Sequence, residues 1–266
     1  MANQLIKDLR EIASGFPSNV REWPHIPCPT CKRGGLSAVP DSLELEESNT
    51  SKQWHGHEAW EPDMSRGAFH AVLECRKPAC DLVRVVGELS WHPDFDEHGS
   101  YNAYEDHLTP TFFMPALPLI ESHDACPEQV RDRIDAAAKV IWADPSSAAN
   151  RLRSAAEALM DDQGIPRKTV GGGKIRDVSL HNRIENFGSA KPQYADAAGL
   201  LLAVKWIGNV GSHDDRLRIS DVLDGIEILD YTLALVYDDT ADEIKKKAAE
   251  ITARKGIPAR RYGRSS

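Results

Sequence analysis

The sequence has no long apolar run, and this absence excludes a membrane-spanning helix. No stretch of its 266 residues approaches the roughly 20 consecutive apolar residues that cross a bilayer. The N-terminal residues MANQLIKDLREIA include acidic side chains and no apolar core, so we expect no secretory signal. These absences predict a cytoplasmic protein that makes no contact with a membrane. The length favours two structural units over one.

The chain also lacks the basic excess of a dedicated DNA-binding protein, since its formal net charge is −9. Residues 81–130 hold ten acidic side chains and a single basic one, Arg84. Residues 254–266 hold five basic side chains and no acidic one. An acidic middle repels a polyanion and a basic tail attracts one. Arg260 and Arg261 in that tail are therefore candidate nucleic-acid contacts.

Cysteine is scarce, but four of the five cysteines form two close pairs. In a reducing cell that pattern indicates a metal site before a disulfide. The first pair is a Cys-x-x-Cys followed by two glycines, and the second lies between stretches 68–73 and 82–89, which we expect to be strands. This layout predicts a zinc ribbon in which four thiolates hold one zinc ion. The expected ligands are Cys28, Cys31, Cys75 and Cys80.

Two features of the cysteine pattern leave alternatives open. The second pair has four intervening residues instead of two, and the pairs are far apart in the chain. The cysteines can therefore be unrelated members of a β-rich region, or one of His55, His57 and His70 can replace a cysteine as a ligand. The fifth cysteine, Cys126, stands beside Pro127 and is interpreted as a buried thiol, not as a ligand.

The second half of the chain has a helical pattern. Apolar residues recur at spacings of three and four from Pro127 onward, which is typical of helices in a bundle. Residues 91–126 are rich in acidic residues and proline, and we interpret them as a connector. Residues 165–178 are basic and glycine-rich but lack the P-loop pattern and a preceding strand, so they predict a flexible interhelical loop. Its basic side chains can still contact phosphates: Arg167, Lys168, Lys174 and Arg176.

A polar pair in residues 205–213 is the most conspicuous candidate site. Asn209 and His213 are four residues apart, so one helix places them on the same face. Gly208 and Gly211 remove side-chain bulk beside them, which lets a neighbouring backbone come close. The pair can therefore belong to an active site or to a buried packing lock. Arg153 and Glu157, also four apart, can either form a surface ion pair or reach inward to complete that lock.

Several blocks resemble the bacterial domain of unknown function 4145 family, a divergent branch of the HEPN helical bundles, over roughly residues 110–256. The resemblance implies a helical bundle that pairs into a homodimer and takes part in phage defence or mobile-element biology. Active HEPN domains are similar to metal-independent ribonucleases with an Arg-x-x-x-x-His motif. Asn209 and His213 match the end of that motif, but Gly208 stands at the arginine position, which argues against catalysis. The blocks are Ala148–Leu159, Leu180–Ile184, Lys205–His213 and Asp221–Leu223.

The predicted fold class is α+β, mainly α, with a small zinc-ribbon-like β domain followed by an antiparallel HEPN-like bundle. The expected boundaries are 1–90 for a helix and the ribbon, 91–126 for the connector, 127–256 for the bundle and 257–266 for a basic tail. We predict a non-catalytic, zinc-containing protein that associates with RNA, DNA or a protein partner of a defence system.

Two alternatives remain from the sequence. In a ribonuclease, His213 would be the acid and base, Asn209 would orient it, and Lys205 or Arg153 would supply positive charge. In a protein-binding module the acidic balance would fit a partner that is not a nucleic acid.

Overall fold

The computed structural model describes residues 4–32, 34–95, 98–120, 125–171, 173–213, 217–238 and 240–255. The side chains at 212, 213 and 240–243 also lie outside the described part. The protein is a mixed α/β structure, 48% helical, in which an antiparallel sheet precedes the helices. Within the described residues, no helix combines the length and the apolar character that a membrane crossing needs.

A seven-stranded antiparallel sheet forms the first half of the molecule. Its spatial order is β1-β7-β6-β5-β3-β2, and β4 also pairs with β5. The three central strands are long and the outer ones are short. The strands are β1 (Phe16–Pro17), β2 (Ile26–Pro27), β3 (Gly35–Ala38), β4 (Glu44–Glu47), β5 (Arg66–Cys75), β6 (Leu82–Phe95) and β7 (Tyr101–Met114).

Helices flank this sheet and make up most of the second half. The first, α1, has an apolar stripe of Ile6, Leu9 and Ile12 that packs against the core. Short 3-10 turns lie at Val20–Glu22, Pro62–Met64 and Pro192–Tyr194. The α-helices are α1 (Gln4–Ala13), α2 (Asn49–Trp54), α3 (Glu128–Ala138), α4 (Pro145–Asp162), α5 (Leu180–Ala190), α6 (Ala195–His213), α7 (Ile219–Tyr237) and α8 (Thr240–Arg254).

Capping residues determine where the helices beside the candidate site begin. The Asp144 side chain accepts a hydrogen bond from the Ser147 amide at 2.8 Å, and Pro145 opens α4. This cap lowers the pKa of Asp144, with the Ser147 hydrogen bonds as the largest cause. Ser179 caps α5 in the same way through the Asn182 amide. These caps fix where α4 and α5 begin beside α6.

The sheet and the helices share one hydrophobic core. Alternate residues of β5 and β6, such as Leu73 and Val85, are fully buried on the inner face of the sheet. Phe113 of β7 meets Trp142 of the helical half edge to face, with ring centroids 5.4 Å apart. Helix α1 packs against α7, and Arg10 is paired with Asp224 there at 2.7 Å. The two halves are therefore joined by apolar packing and not by a single linker.

Two sequence interpretations differ from the structure. The acidic segment 91–126, expected to be a connector, instead supplies the end of β6 and all of β7. Acidic residues occupy exposed or half-buried strand positions there, so the apolar alternation is weak, and strand pairing with β6 decides the structure. The loop at 165–178 contains a hairpin of two short strands, β8 (Lys168–Gly171) and β9 (Lys174–Asp177).

Candidate metal centre and bundle cavity

The four predicted cysteine ligands come from two turns between paired strands. Cys28 and Cys31 lie between β2 and β3, while Cys75 ends β5 and Cys80 precedes β6. Each turn contains one non-glycine residue with a positive φ, Lys32 at 55° and Ala79 at 57°. Since β3 pairs with β5, the sheet register brings the two turns together at one end. The predicted position of the second pair between two strands is confirmed.

The four sulfur atoms form a compact cluster. They all lie within 4.8 Å of one another. The Cys28 and Cys80 sulfurs are 3.7 Å apart, and so are the Cys31 and Cys75 sulfurs. Four sulfurs at about 2.3 Å from one tetrahedral metal ion would be about 3.8 Å apart. The cluster therefore has the dimensions of a four-thiolate metal site.

The surrounding backbone also fits a metal–thiolate group. The Lys77 amide points at the Cys75 sulfur at 3.4 Å, and the Cys28 amide binds the Gly34 carbonyl oxygen at 2.8 Å. A Cβ atom on Gly34 would lie 2.8 Å from the Cys75 sulfur and 3.1 Å from the Cys31 sulfur. Only glycine leaves room for the sulfurs there, so this position belongs to the cluster although it offers no ligand.

The thiols resist ionisation when they have only each other as neighbours. The Lys77 amide lowers the pKa of Cys75, but burial and the other three thiols raise it overall to about 12. The pKa of Cys80 is raised as well: the Asp81 backbone lowers it, while burial and Cys28 outweigh that effect. A bound cation would reverse this effect by stabilising the ionised thiolates.

The other candidate ligands lie elsewhere. Cys126 is buried, and burial raises its pKa to about 11. His55 contacts Glu47 at 2.7 Å, and His70 lies 3.5 Å from Glu44. Within the described residues, the clustered ligand atoms are the four cysteine sulfurs.

In the helical half, the predicted close approach occurs between α4 and α6. A Cβ atom on Gly208 would lie 2.5 Å from the Arg153 Cβ and 3.0 Å from the Ala149 carbonyl oxygen. A Cβ atom on Gly211 would lie 2.6 Å from the Ser146 carbonyl oxygen. A side chain at either position would force the backbone of α4 or α6 to move. The glycines therefore set the spacing of the two helices.

Three of the predicted polar residues line one cavity between α4, α5 and α6. It has a volume of about 340 Å³, and Arg153, Lys205 and Asn209 contribute to its wall. Arg153 also contacts Glu157, with a nitrogen–oxygen distance of 3.3 Å. The His213 side chain lies outside the described residues, so its part in the predicted polar lock stays a prediction. Arg260 and Arg261 lie outside the described residues too.

Three further residues of this cavity were missed by the sequence interpretation. Ser179, His181 and Trp206 lie in its wall. Ser179 and His181 could have been found from the helix start that follows the glycine-rich segment, because a capping serine and the first turn of its helix lie side by side. Trp206 lies within α6 and is 57% exposed. Nothing in its spacing marked it as part of a cavity.

The basic residues of segment 165–178 separate into two groups. Arg167 pairs with Asp161 through two nitrogens, and Arg183 donates to the same carboxylate at 2.7 Å. These hydrogen bonds, that from Arg167 first, lower the pKa of Asp161. Lys168, Lys174 and Arg176 instead stand exposed on the β8–β9 hairpin. They form no ion pair with any carboxylate in the part of the chain that the structure describes.

Comparisons with known proteins give family matches to both halves. Residues 135–254 match the family model described as Domain of unknown function (DUF4145). Residues 17–113 match that described as Domain of unknown function (DUF8608). No curated protein and no solved structure matches the chain. The chain is therefore similar to two families of unknown function, one over the sheet and the other over the helical half.

Proposed function

We propose that this protein is a non-catalytic nucleic-acid-associated module whose sheet is held together by structural zinc. The observation that carries the proposal is the β8–β9 hairpin. Its three exposed cations form no ion pair among the described residues, although Asp177 lies across the ribbon from Lys168 and the chain as a whole is acidic. Such local positive charge suits a small number of phosphate contacts and not a broad non-specific footprint.

The shape of the hairpin supports this role. A two-stranded ribbon is an element that fits the major groove of a duplex. Val170 and Ile175 are cross-strand partners and are 75% and 71% exposed. They share one face of the ribbon with Lys168 and Asp177, while Lys174 and Arg176 lie on the opposite face. The exposed apolar pair can meet sugar or base edges while the neighbouring cations meet phosphates.

Zinc is the metal that suits the cysteine cluster best. Four thiolates leave no ligand position for water or substrate, which is typical of structural zinc and not of catalytic zinc. The metal would connect the β2–β3 turn to the β5–β6 turn and supply the cohesion of this end of the sheet. The resemblance to HEPN bundles adds the expectations of a homodimer and of a setting in phage defence or mobile elements.

The hairpin proposal is tested by equilibrium binding of labelled single-stranded RNA, duplex RNA and duplex DNA across a salt series. The variant Lys168→Gln/Lys174→Gln/Arg176→Gln is compared with Lys7→Gln/Arg21→Gln/Lys52→Gln. The control removes three exposed cations elsewhere, so both variants have the same net charge. We expect the hairpin variant to bind more weakly and to lower the salt slope by about 2 to 3. Equal binding by the two variants would overturn the proposal.

A second candidate function is a metal-independent ribonuclease, and one observation favours it. Arg153, Lys205 and Asn209 share a cavity, and His213 follows Asn209 by four residues in α6. His213 would take the proton of a ribose 2′-hydroxyl while a cation stabilises the phosphate. Cleavage of RNA without added metal, lost in His213→Ala and kept in His57→Ala, would establish this activity. We expect no cleavage, because Gly208 leaves no room for the arginine of active relatives.

A further inference from the structure

The outer face of the sheet carries an exposed apolar cluster on β6 and β7. Val86 of β6 is the cross-strand partner of Phe112 of β7, and Met114 lies two residues further along the same strand. These three side chains are 41%, 49% and 75% exposed. Their chain neighbours Val85 and Phe113 are buried, so the cluster lies on the face of the sheet that points away from the core. A contiguous apolar patch of this kind is typical of a contact surface.

A groove lies beside this cluster and crosses the sheet from β4 to β7. It has a volume of about 620 Å³, and its wall includes Glu46 of β4, Ala68 of β5, Val86 of β6 and Thr111 of β7. Adjacent strands are about 4.8 Å apart, so β4 and β7 are separated by about 14 Å. An α-helix with its side chains is about 10–12 Å across, and the groove is therefore wide enough to hold one.

Negative charge lines the β4 side of the groove. Glu44 and Glu46 are both exposed there. Glu44 lies 3.5 Å from the Nε2 atom of His70, and Glu46 forms no ion pair in the part of the chain that the structure describes. Arg84 is on the same face but stands opposite Met114, at one end of the apolar cluster. A segment with an apolar stripe and a basic flank would match both sides of this groove.

Helix α8 of the same chain has these two properties. Ile244 and Ile251 are seven residues apart, so they lie on one side of the helix, about 10 Å from each other along its axis. Both side chains are exposed. Lys247 and Arg254 each follow one of these isoleucines by three residues and therefore flank the apolar stripe. Residues 244–255 hold five basic side chains and one acidic side chain.

The short connection between α7 and α8 directs α8 to another copy of the chain. Helix α7 ends at Tyr237 and α8 begins at Thr240, so the connection spans at most about 10 Å. Helix α7 packs against α1, α4 and α6 on the core side of the sheet. The groove is on the opposite face, beyond the core and the sheet itself, and packed layers are about 10 Å apart. The connection is too short to carry α8 around the sheet, whereas the groove of a second copy is open to it.

We propose that α8 of one copy docks in the outer sheet groove of a second copy. The isoleucines cover the apolar cluster of β6 and β7, and the basic side chains beside them face the glutamates of β4. Each copy offers one helix and one groove, so reciprocal docking gives a closed dimer. This interface is separate from the β8–β9 hairpin and does not depend on the function proposed above.

The association is expected to be weak. An isolated helix of this length is marginal in water, so part of the binding free energy is spent on ordering α8. We expect a dissociation constant of about 10–100 µM. At about 2 µM the chains are then mostly monomers, and α8 adds little to the stability of each one.

Sedimentation velocity of the full chain at about 2 to 300 µM tests the docking. We expect the average mass to rise from that of a monomer toward that of a dimer. Ile244→Gln/Ile251→Gln should hold the chain as a monomer throughout. Ala249→Gln/Ala253→Gln, on the opposite side of α8 and with the same net charge, should associate like the wild type. A wild-type monomer at the highest concentration, or equal association of the two variants, would overturn the proposal.

Variants of the sheet test the other side of the interface. Phe112→Thr/Met114→Thr replaces two exposed side chains by a residue suited to strands and should also prevent association. Phe95→Thr/Tyr101→Thr, an exposed cross-strand pair elsewhere on β6 and β7, should leave association unchanged. Circular dichroism verifies that both variants fold. Association that survives in Phe112→Thr/Met114→Thr would show that the chain uses another surface and would contradict the proposal.

Charge reversal keeps the test decisive if the apolar sheet variant does not fold. Glu44→Lys/Glu46→Lys and Lys247→Glu/Arg254→Glu should each weaken association about tenfold or more, because like charges then meet across the interface. A chain with all four substitutions should regain the wild-type affinity within about threefold. If that chain does not associate, or if a dimer persists after truncation at Asp238, α8 does not dock in the groove.

Discussion

At the scale of single residues, Gly208 is a contact point between two helices. Ala149 and Arg153 of α4 occupy the space that a side chain at this position would need. A larger residue at position 208 would therefore disturb the packing of α4 against α6.

We expect Gly208→Ala to destabilise the protein by about 1–3 kcal/mol, since its Cβ would clash with α4. Gly199→Ala is the matched control, because it lies on the same helix with no atom within 4 Å of its added Cβ. That control should stabilise the protein by about 0.5–1 kcal/mol through helix propensity. Urea unfolding measures both values. A stable Gly208→Ala protein would show that α4 and α6 are not in tight contact here.

A pair of stacked histidines on the sheet makes stability depend on pH. The rings of His92 and His107 are 4.4 Å apart, and burial, followed by the charge of His92, lowers the pKa of His107. The unfolded chain then takes up the proton more readily than the folded one. The contribution of neutral His107 to the unfolding free energy is fully present above the ordinary histidine pKa near 6.5. It is lost as the pH falls through the lower pKa that His107 has in the folded protein.

We therefore expect His107→Gln to flatten the fall in unfolding free energy between about pH 7 and pH 5. His57→Gln, at an exposed histidine after α2, should leave that fall unchanged. Urea unfolding at a series of pH values measures the effect. An unchanged pH dependence in His107→Gln would mean that other groups cause it.

At the scale of elements, segments with a regular spacing of apolar residues were predicted correctly, and segments without such a spacing were not. The apolar spacing from Pro127 onward predicted helices, and α3 to α8 lie in that part of the chain. The strand β7 was missed because acidic residues occupy its exposed positions and only pairing with β6 makes it a strand. The hairpin in segment 165–178 was missed because short strands rich in glycine carry little signal of their own.

Helix α8 does not pack extensively against any other described element. Its side chains at 244–254 are all exposed, including Ile244 and Ile251. A helix of this length is marginal in water without tertiary packing. The helix is therefore expected to contribute little to the stability of the remainder of the fold.

Truncation after Asp238 is expected to leave the melting temperature of the remaining protein within about 2 °C. Removal of residues 1–13 is the contrast, because it deletes the buried side chains of Leu9 and Ile12 and should lower the melting temperature strongly. Thermal melts followed by circular dichroism compare the two. A large loss on removing α8 would reveal packing, for example in a second copy of the chain.

At the scale of the whole molecule, the cysteine cluster and the helices are coupled through a common core. Sequence patterns placed the four cysteines together correctly, since the strands flanking each pair were visible in the chain. They gave no sign that α1 and β7 would pack against the helical half. That coupling depends on contacts between residues far apart in the sequence, such as Phe113 with Trp142 and Arg10 with Asp224. Such contacts have no local signature.

Loss of one cysteine should therefore weaken the helices as well as the sheet. We expect Cys75→Ser to remove one bound zinc per chain, measured by elemental analysis, and to lower stability by several kcal/mol. Because the core is shared, the helical circular dichroism and the fluorescence of the tryptophans should then melt together at a lower temperature. Cys126→Ala, a buried thiol outside the cluster, should keep the metal. If Cys75→Ser lost the metal while the helices melted as in the wild type, the sheet and the helical half would be independent folding units.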